Sequence, residues 1–392
     1  MNEVVVLSAV RTAVGDFGGS LKNHSPGVMA AAVTREAVKR ANIEPEQIGH
    51  SVFGSVIVTE PQDIYLSRVA AINGGLPHTT PAVTVNRLCG SGMQAIVTAA
   101  QQIELGKCRA AVAGGAESMS LAPYVATGAR FGNRMGDGKL IDMMLSALHC
   151  PFEKVHMGMT AEAIAEKWGI SREQQDELAV QSHQRAQRAI EEGRFNDQIL
   201  PIELKSRKGV TLFERDEHVR FDLRVEDLAG LKPAFKEGGT VTAGNASGIN
   251  DAAAALVLME RTEAEQKGLQ PMARLAGYSY AGVEPLYMGI GPVPAVRSLL
   301  AEAGLGVADI DVWEVNEAFA AQAIAVARDL EIPSEKLNPN GSGIGIGHPI
   351  GATGALITVK ALYELQRTGG RYAVVTMCIG GGQGIAALFE RV

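Results

Sequence analysis

Aromatic residues are scarce in this chain, at 5% of 392 residues. Basic residues are outnumbered too, and the formal net charge is −7 with a pI near 5.7. A nucleic-acid partner would want a basic face with stacking aromatics, so that class is set aside. No long apolar run is present. The longest, "AAAALVLM" from Ala252 to Met259, falls well short of the roughly 20 residues a membrane span needs. The four cysteines (89, 108, 150 and 378) form no C-x-x-C pair and no metal spacing. They read as reduced thiols of a cytoplasmic protein rather than a disulfide frame or a metal site. The opening "MNEVVVLSAV" has no basic n-region and no cleavable apolar stretch, so no signal peptide is expected.

What is present is an apolar content of 46%, enough for a large core, and 45 glycines. Average glycine usage is roughly 7%. Here the glycines gather at 114–115, 341–354 and 380–384, at the ends of apolar runs. That placement marks strand-to-helix turns rather than low complexity.

An internal repeat organises the chain. "GMQAIVTAAQQIELGKCRAAVAGGAES" from Gly92 matches "GALITVKALYELQRTGGRYAVVTMCIG" from Gly354, at an offset of 262. Upstream, "REAVKRANIEPEQIGHSVFG" from Arg35 matches "RSLLAEAGLGVADIDVWEVN" from Arg297 at the same offset. The copies close on "AALVLMER" and "IAALFER", where the offset falls to 130. The first copy therefore carries about 132 extra residues after Glu117. Within each copy, "VVVLSA", "AAVAGG", "VWEV" and "RYAVVTM" read as buried strands between amphipathic helices, giving a layered α/β body. The insert is richer in charge. It holds one long helix starting at "SREQ", where Ser171 and Gln174 form a capping box. Its inner stripe is Leu178, Ser182, Ala186, Ala189 and Ile190.

Four stretches carry chemistry. In "VTVNRLCGSGMQAI", Cys89 falls where a strand yields to a helix from about Gly92. The helix dipole there favours a thiolate. A buried structural cysteine is the plainer reading of that residue alone. The dinucleotide pattern G-x-G-x-x-A also fits "GSGMQA", although this strand is not first in its unit. In "NGSGIGIGHPIGATG", His348 stands alone among glycines ahead of a repeat-equivalent helix, as a general base or as a backbone-bonded turn residue. In "EVNEAFAAQA", Asn316 ends a strand and either caps the next helix or holds a water. In "VVTMCIGGGQG", Cys378 ends a strand. "GQGIAA" fits the dinucleotide pattern there, but no helix follows to take a pyrophosphate. The repeat places Cys89 opposite Gly351 and Cys378 opposite Ala116, so these loops converge at one edge of the paired sheets. Two thiols and an imidazole at one place suit acyl transfer through a thioester.

Together "NRLCGSG", "NEAFA", "GHPIGATG" and "CIGGGQG" resemble the thiolases, over essentially the whole chain. The pattern is most similar to bacterial acetyl-CoA acetyltransferases and β-ketothiolases of polyhydroxyalkanoate-type metabolism. The resemblance implies a duplicated βαβ core in an α/β/α/β/α arrangement. Its halves would be 1–118 plus 244–268 and 269–392, with a CoA-binding loop domain inserted at 119–243. It implies Cys89 as nucleophile, His348 as its activator and Cys378 as the second proton-transfer group. Asn316, through a water, and His348 would form one oxyanion hole. The N–H groups of Cys89 and Gly380 would form the other. Leu148, His156, Met157, Phe235, Ala243 and Ser247 would line the CoA site, with Arg220 at a CoA phosphate. Met288, Ala318 and Phe319 would bound the acyl pocket. Coenzyme A would be substrate and product, with no permanently bound cofactor, in a homotetramer. Similar proteins usually read A-L-G-H-P before the histidine, where this chain has Gly345-Ile346-Gly347-His348. Four alternatives stand beside this reading. They are a degradative 3-ketoacyl-CoA thiolase for longer chains, a ketoacyl synthase (which usually needs a second histidine), a non-catalytic acyl-CoA-binding protein, and a nicotinamide oxidoreductase.

Overall fold

The computed structural model describes residues 2–207 and 209–392. The β-branched run at the start forms β1 (Val4–Thr12), buried along its whole length. It shows no period-two alternation because both faces of the sheet are covered. β2 (His50–Gly54), β3 (Ala82–Val85), β4 (Ala110–Ser118) and β5 (Asn250–Glu260) complete the first half. β6 (Ala273–Gly282), β7 (Val312–Val315), β8 (Tyr372–Ile379) and β9 (Gln383–Arg391) make the second.

The spatial order is β3-β2-β4-β5-β1 in the first half and β7-β8-β9-β6 in the second. Leu337 bridges Trp313 in parallel where the first half has β3. β3, β2 and β4 pair in parallel, then β5 and β1 antiparallel. β7 and β8 pair in parallel, then β9 and β6 antiparallel. The sequence repeat is thus a duplication of topology. One feature was invisible in the sequence. Val5 and Val6 of β1 pair with Arg274 and Ala273 of β6, joining the halves edge to edge in one continuous path.

The longer helices are α1 (Pro26–Arg40), α2 (Leu66–Asn73), α3 (Ser91–Glu104), α4 (Met157–Trp168), α5 (Arg172–Glu191), α6 (Pro292–Ala303), α7 (Ala320–Asp329) and α8 (Ile350–Thr368). α3 and α8 pack on each other in the middle, and α8 touches strands of both halves. α1 packs on β1, β4 and β5, and its counterpart α6 on β6 and β9. This is the α/β/α/β/α layering.

The two central helices approach through repeat-equivalent glycines. A Cβ on Gly92 would lie 2.7 Å from Ala355 N, and one on Gly354 would overlap Met93 N. Both obstacles are backbone, so neither can swing aside. Gly354→Ala is expected to destabilise the fold by about 1–3 kcal/mol, as overpacking does. Gly230→Ala is the neutral control, because its φ is −79° and nothing lies within 4 Å of the added carbon. Thermal melts of the two variants check this; equal midpoints would contradict it.

α4 and α5 come from the inserted segment. The α5 capping box forms: Gln174 N–H donates to Ser171 Oγ at 3.3 Å, and Ser171 N–H to Gln174 Oε1 at 3.0 Å. Its buried face includes Gln175, Ala179, Ser182, Ala186 and Ala189, with Leu178 and Ile190 half-buried at the edge. Ser182 Oγ donates to Glu317 Oε2 at 2.5 Å and accepts from the N–H groups of Ser342 and Gly345. A Cβ on Gly345 would sit 2.7 Å from Ser182 O, which accounts for glycine at 345 in this chain. The insert is also pinned to β1 by the buried, two-point Arg11–Asp216 pair at 2.7 and 2.9 Å.

Candidate active site

Cys89 is delivered by a tight turn between β3 and α3. Asn86 Oδ1 accepts Leu88 N–H at 2.9 Å, and Ser91 Oγ accepts Arg87 N–H at 2.9 Å. Leu88 adopts φ +47°, a conformation a leucine takes only when its surroundings hold it there. Gly90 caps α3, and a Cβ there would lie 2.7 Å from Ile379 Cδ1. The turn is therefore wedged against the end of β8, where Cys378 and Gly380 sit.

That contact brings the two thiols together. The N–H groups of Gly380 and of Cys89 itself are directed at the Cys89 sulfur. Burial pushes the Cys378 thiol well above its ordinary value, and the neighbouring Cys89 adds to this. A Cβ on Gly380 would meet Met157 Cε at 2.7 Å, so the N–H is presented beside an apolar wall.

The helix N-terminus favours a Cys89 thiolate, but it is opposed by its surroundings, in which the half-buried Cys89 packs against Ile57, Met119 and Ile350. Burial pushes Cys89 up to about 11, and Glu117 works in the same direction, outweighing the two N–H groups. At rest the nucleophile is a thiol. Its alkylation by iodoacetamide is expected to climb steeply between pH 8 and 10, roughly tenfold per unit below its pKa. A rate already flat at pH 8 would contradict this.

His348 follows Gly347 in the glycine-dense loop. Thr353 Oγ1 donates to Pro349 O at 3.0 Å, so toward His348 it can only accept. His348 Nδ1 lies 2.7 Å from that oxygen and therefore carries the proton. Nε2 is left as a bare lone pair, buried and without a partner. Burial pushes the imidazole down to about 4, so it is neutral across the physiological range. Asn316 Nδ2 lies 3.5 Å from Nδ1, but two donors do not bond. Asn316 Oδ1 is a second buried acceptor without a partner. Asn316 does not cap α7, whose N-cap is Phe319.

A cavity of about 630 Å³ opens beside His348. Leu148, His156, Arg220, Phe235, Ala243, Ser247 and Phe319 line it, together with Met119, Ile249 and Ile350. His156 caps α4: its Nδ1 accepts Gly158 N–H at 3.0 Å, and its ring stacks on Phe235 at 4.6 Å. Burial, then His149, lowers the His156 pKa, so this wall is uncharged. Phe235 meets Phe319 edge-on at 6.2 Å. Ser247 N–H donates to Ala318 O at 3.0 Å, tying the end of the insert to the "NEAFA" loop. Arg220 is exposed at the rim and, among the described residues, has no ion-pair partner.

Met157, Met288 and Ala318 are buried in a cluster with Cys150, Cys378 and Phe319. Cys89 packs with Ile57, Met119, Ile350 and Leu148, three of which also line the cavity. The sequence reading passed over Thr353 and Asn250. Thr353 lay within the "GHPIGATG" motif, five residues after the histidine. Asn250 showed only as a polar residue heading an apolar strand. Glu117 marked only the point after which the extra residues begin; it accepts N–H bonds from Val56, Ile57 and Gly351, buried beneath the start of α8.

A dinucleotide has no place at "GSGMQA", because the α8 backbone occupies the space in front of Gly92. Among the described residues, no group of three or more His, Cys, Asp or Glu is placed to hold a metal ion. None of their helices is long and apolar enough to cross a membrane.

Residues 4–262 match the family description "Thiolase, N-terminal domain", and residues 269–391 match "Thiolase, C-terminal domain". The chain is 63% identical to the beta-ketothiolase BktB of Cupriavidus necator, covering 100% of this chain and 99% of that one. It is 47% identical to an acetyl-CoA acetyltransferase of Chromobacterium violaceum, covering 99% and 100%. Among solved structures, the Bacillus anthracis acetyl-CoA acetyltransferase superposes with a TM-score of 0.97 at 48% identity, covering 100% of this chain and 99% of that one. Human mitochondrial 3-ketoacyl-CoA thiolase in complex with CoA superposes with a TM-score of 0.97 at 42% identity, covering 100% and 98%.

Proposed function

The chain belongs to the thiolase family, and we propose that it joins and cleaves 3-ketoacyl-CoA thioesters through an acyl group carried on Cys89. It is an acyltransferase of the β-ketothiolase, acetyl-CoA C-acetyltransferase kind. The observation that carries the mechanism is the Cys89 turn seated against the end of β8, where Cys378 and Gly380 lie, together with the buried, unpartnered Nε2 of His348.

As Cys89 Sγ attacks the carbonyl carbon of acetyl-CoA, His348 Nε2 takes its proton. The thioester C–S bond breaks, and the departing CoA sulfur takes the Cys378 proton. Acetyl-Cys89, an imidazolium and a Cys378 thiolate remain. The thiolate removes a methyl proton from a second acetyl-CoA. The resulting carbanion attacks the acetyl carbon, the bond to Cys89 breaks, and His348 returns its proton to Sγ. Acetoacetyl-CoA leaves with every group restored. Thiolysis is the reverse. Charge developing on the Cys89-bound oxygen is met by the Gly380 and Cys89 N–H groups. Charge on the second thioester oxygen is met by protonated His348 Nε2 and by a water held at Asn316 Oδ1.

Coenzyme A enters as substrate and leaves as product, with no permanently bound cofactor. Residues 119–243 act as its binding loop domain between core halves 1–118 plus 244–268 and 269–392. Arg220 receives a CoA phosphate at the rim, and His156, Phe235, Ala243 and Ser247 guide the pantetheine arm. Met157, Met288 and Ala318 shape the acyl pocket from behind. The assembly is a cytoplasmic homotetramer. In support, the segment around 124–142 exposes Tyr124, Phe131, Met135 and Leu140, with Phe131 at 94% and Met135 at 97%. Incubation with CoA and either acetoacetyl-CoA or 3-ketovaleryl-CoA should consume both. Loss of neither would overturn this reading, and preference for far longer 3-ketoacyl chains would favour the degradative alternative.

A further inference from the structure

We propose that Asn250 is a positioning residue for His348, held in its working orientation by Asp16. His348 N–H donates to Asn250 Oδ1 at 2.9 Å. The opposite end of the same amide donates to Gly15 O at 3.1 Å and to Asp16 Oδ1 at 3.2 Å. These three partners fix which end of the amide faces the histidine, because only its oxygen can take the His348 N–H. Asn250 is fully buried. A Cβ on Gly347, whose φ is +115°, would lie 2.6 Å from Asn250 Cγ. The residue before the histidine therefore rests directly on this amide.

Asp16 is in turn anchored from the cavity side. His218 Nδ1–H donates to Asp16 Oδ1 at 2.5 Å, and both residues line the cavity. Asp16 N–H donates to Glu217 Oε2 at 3.0 Å. The bond to His218, foremost, holds the Asp16 carboxyl below its ordinary value, and Asn250 and Arg220 add to this. Beyond His218 lies His183, which burial keeps neutral. A chain of hydrogen bonds thus runs from the cavity wall through Asp16 and Asn250 to the His348 backbone. It spans residues more than 230 positions apart in sequence.

A base displaced by about 1 Å can cost on the order of 100-fold in rate. The inference rests on His348 as the base, so the experiment separates the two. Full-length protein is assayed for acetoacetyl-CoA thiolysis from pH 5.5 to 9. Asn250→Ala should lower kcat by about 10- to 100-fold with KM within a few-fold of the parent. Asn250→Asp sets a carboxylate against Asp16 and Gly15 O. It should be equally impaired at pH 8 and should recover as pH falls, when a proton shared with Asp16 restores the donor. Parental kcat in Asn250→Ala would overturn the proposal. So would an Asn250→Asp pH profile of parental shape. His348→Asn is the separate arm. If it keeps full turnover, the reading of His348 as base fails, whatever the Asn250 variants do.

Discussion

Cys89→Ala is expected to lower both condensation and thiolysis by at least about 10⁴-fold, the scale at which loss of a covalent nucleophile is felt. The side chain loses only its sulfur, beside a turn already fixed by Asn86, Ser91 and Gly90. The fold should therefore survive, and CoA thioesters should still bind. The measurement is acetoacetyl-CoA disappearance with CoA present, beside a thermal melt. A correctly folded variant with more than a few per cent of parental rate would remove Cys89 from the mechanism.

Cys378→Ala should separate the two half-reactions. Acetyl transfer to Cys89 needs His348 Nε2, whose lone pair is free, and the two N–H groups at the sulfur. Those remain, and the departing CoA sulfur, which loses its proton donor in Cys378, can still leave as a thiolate, so one acetyl group per chain should still be transferred, more slowly than in the parent. Removal of the methyl proton from the second acetyl-CoA needs a base beside the acyl-enzyme, and Cys378 is the group placed there. Turnover should fall by about 10³-fold or more, within the range of a lost general base. Rapid-quench counting of bound acetyl against steady-state rate reads both numbers. Equal loss of the burst and of turnover would contradict the division of labour.

The duplicated topology was legible because the offset of 262 survives across two separated helix–strand pairs. Gly92 and Gly354 had a visible reason to match: each receives the other helix's backbone. Cys89, His348 and Cys378 were legible for a related reason, since they sit at strand or helix ends that the repeat superposes. The protonation of Cys89 was not legible. The dipole of α3 is a local property, whereas burial comes from β8 and from Ile57, Met119 and Ile350, brought in from elsewhere. Asn250 was hidden for the same reason. Its partners Asp16 and His348 lie 234 and 98 positions away, and nothing in "SGIND" announces either. The resemblance assigned Met157 to the CoA site and Met288 to the acyl pocket. In the structure both are buried in one cluster with Cys378 and Phe319, where long flexible side chains fill the space between elements distant in sequence.

The central claim is an acyl group carried on one sulfur. Protein mixed with acetyl-CoA alone, quenched in acid and digested, should yield one acetylated peptide, containing Cys89. Addition of CoA before the quench should discharge that label. Acetyl found on Cys378 or on any other residue, or no acetylated peptide from an enzyme that still turns over, would contradict the account.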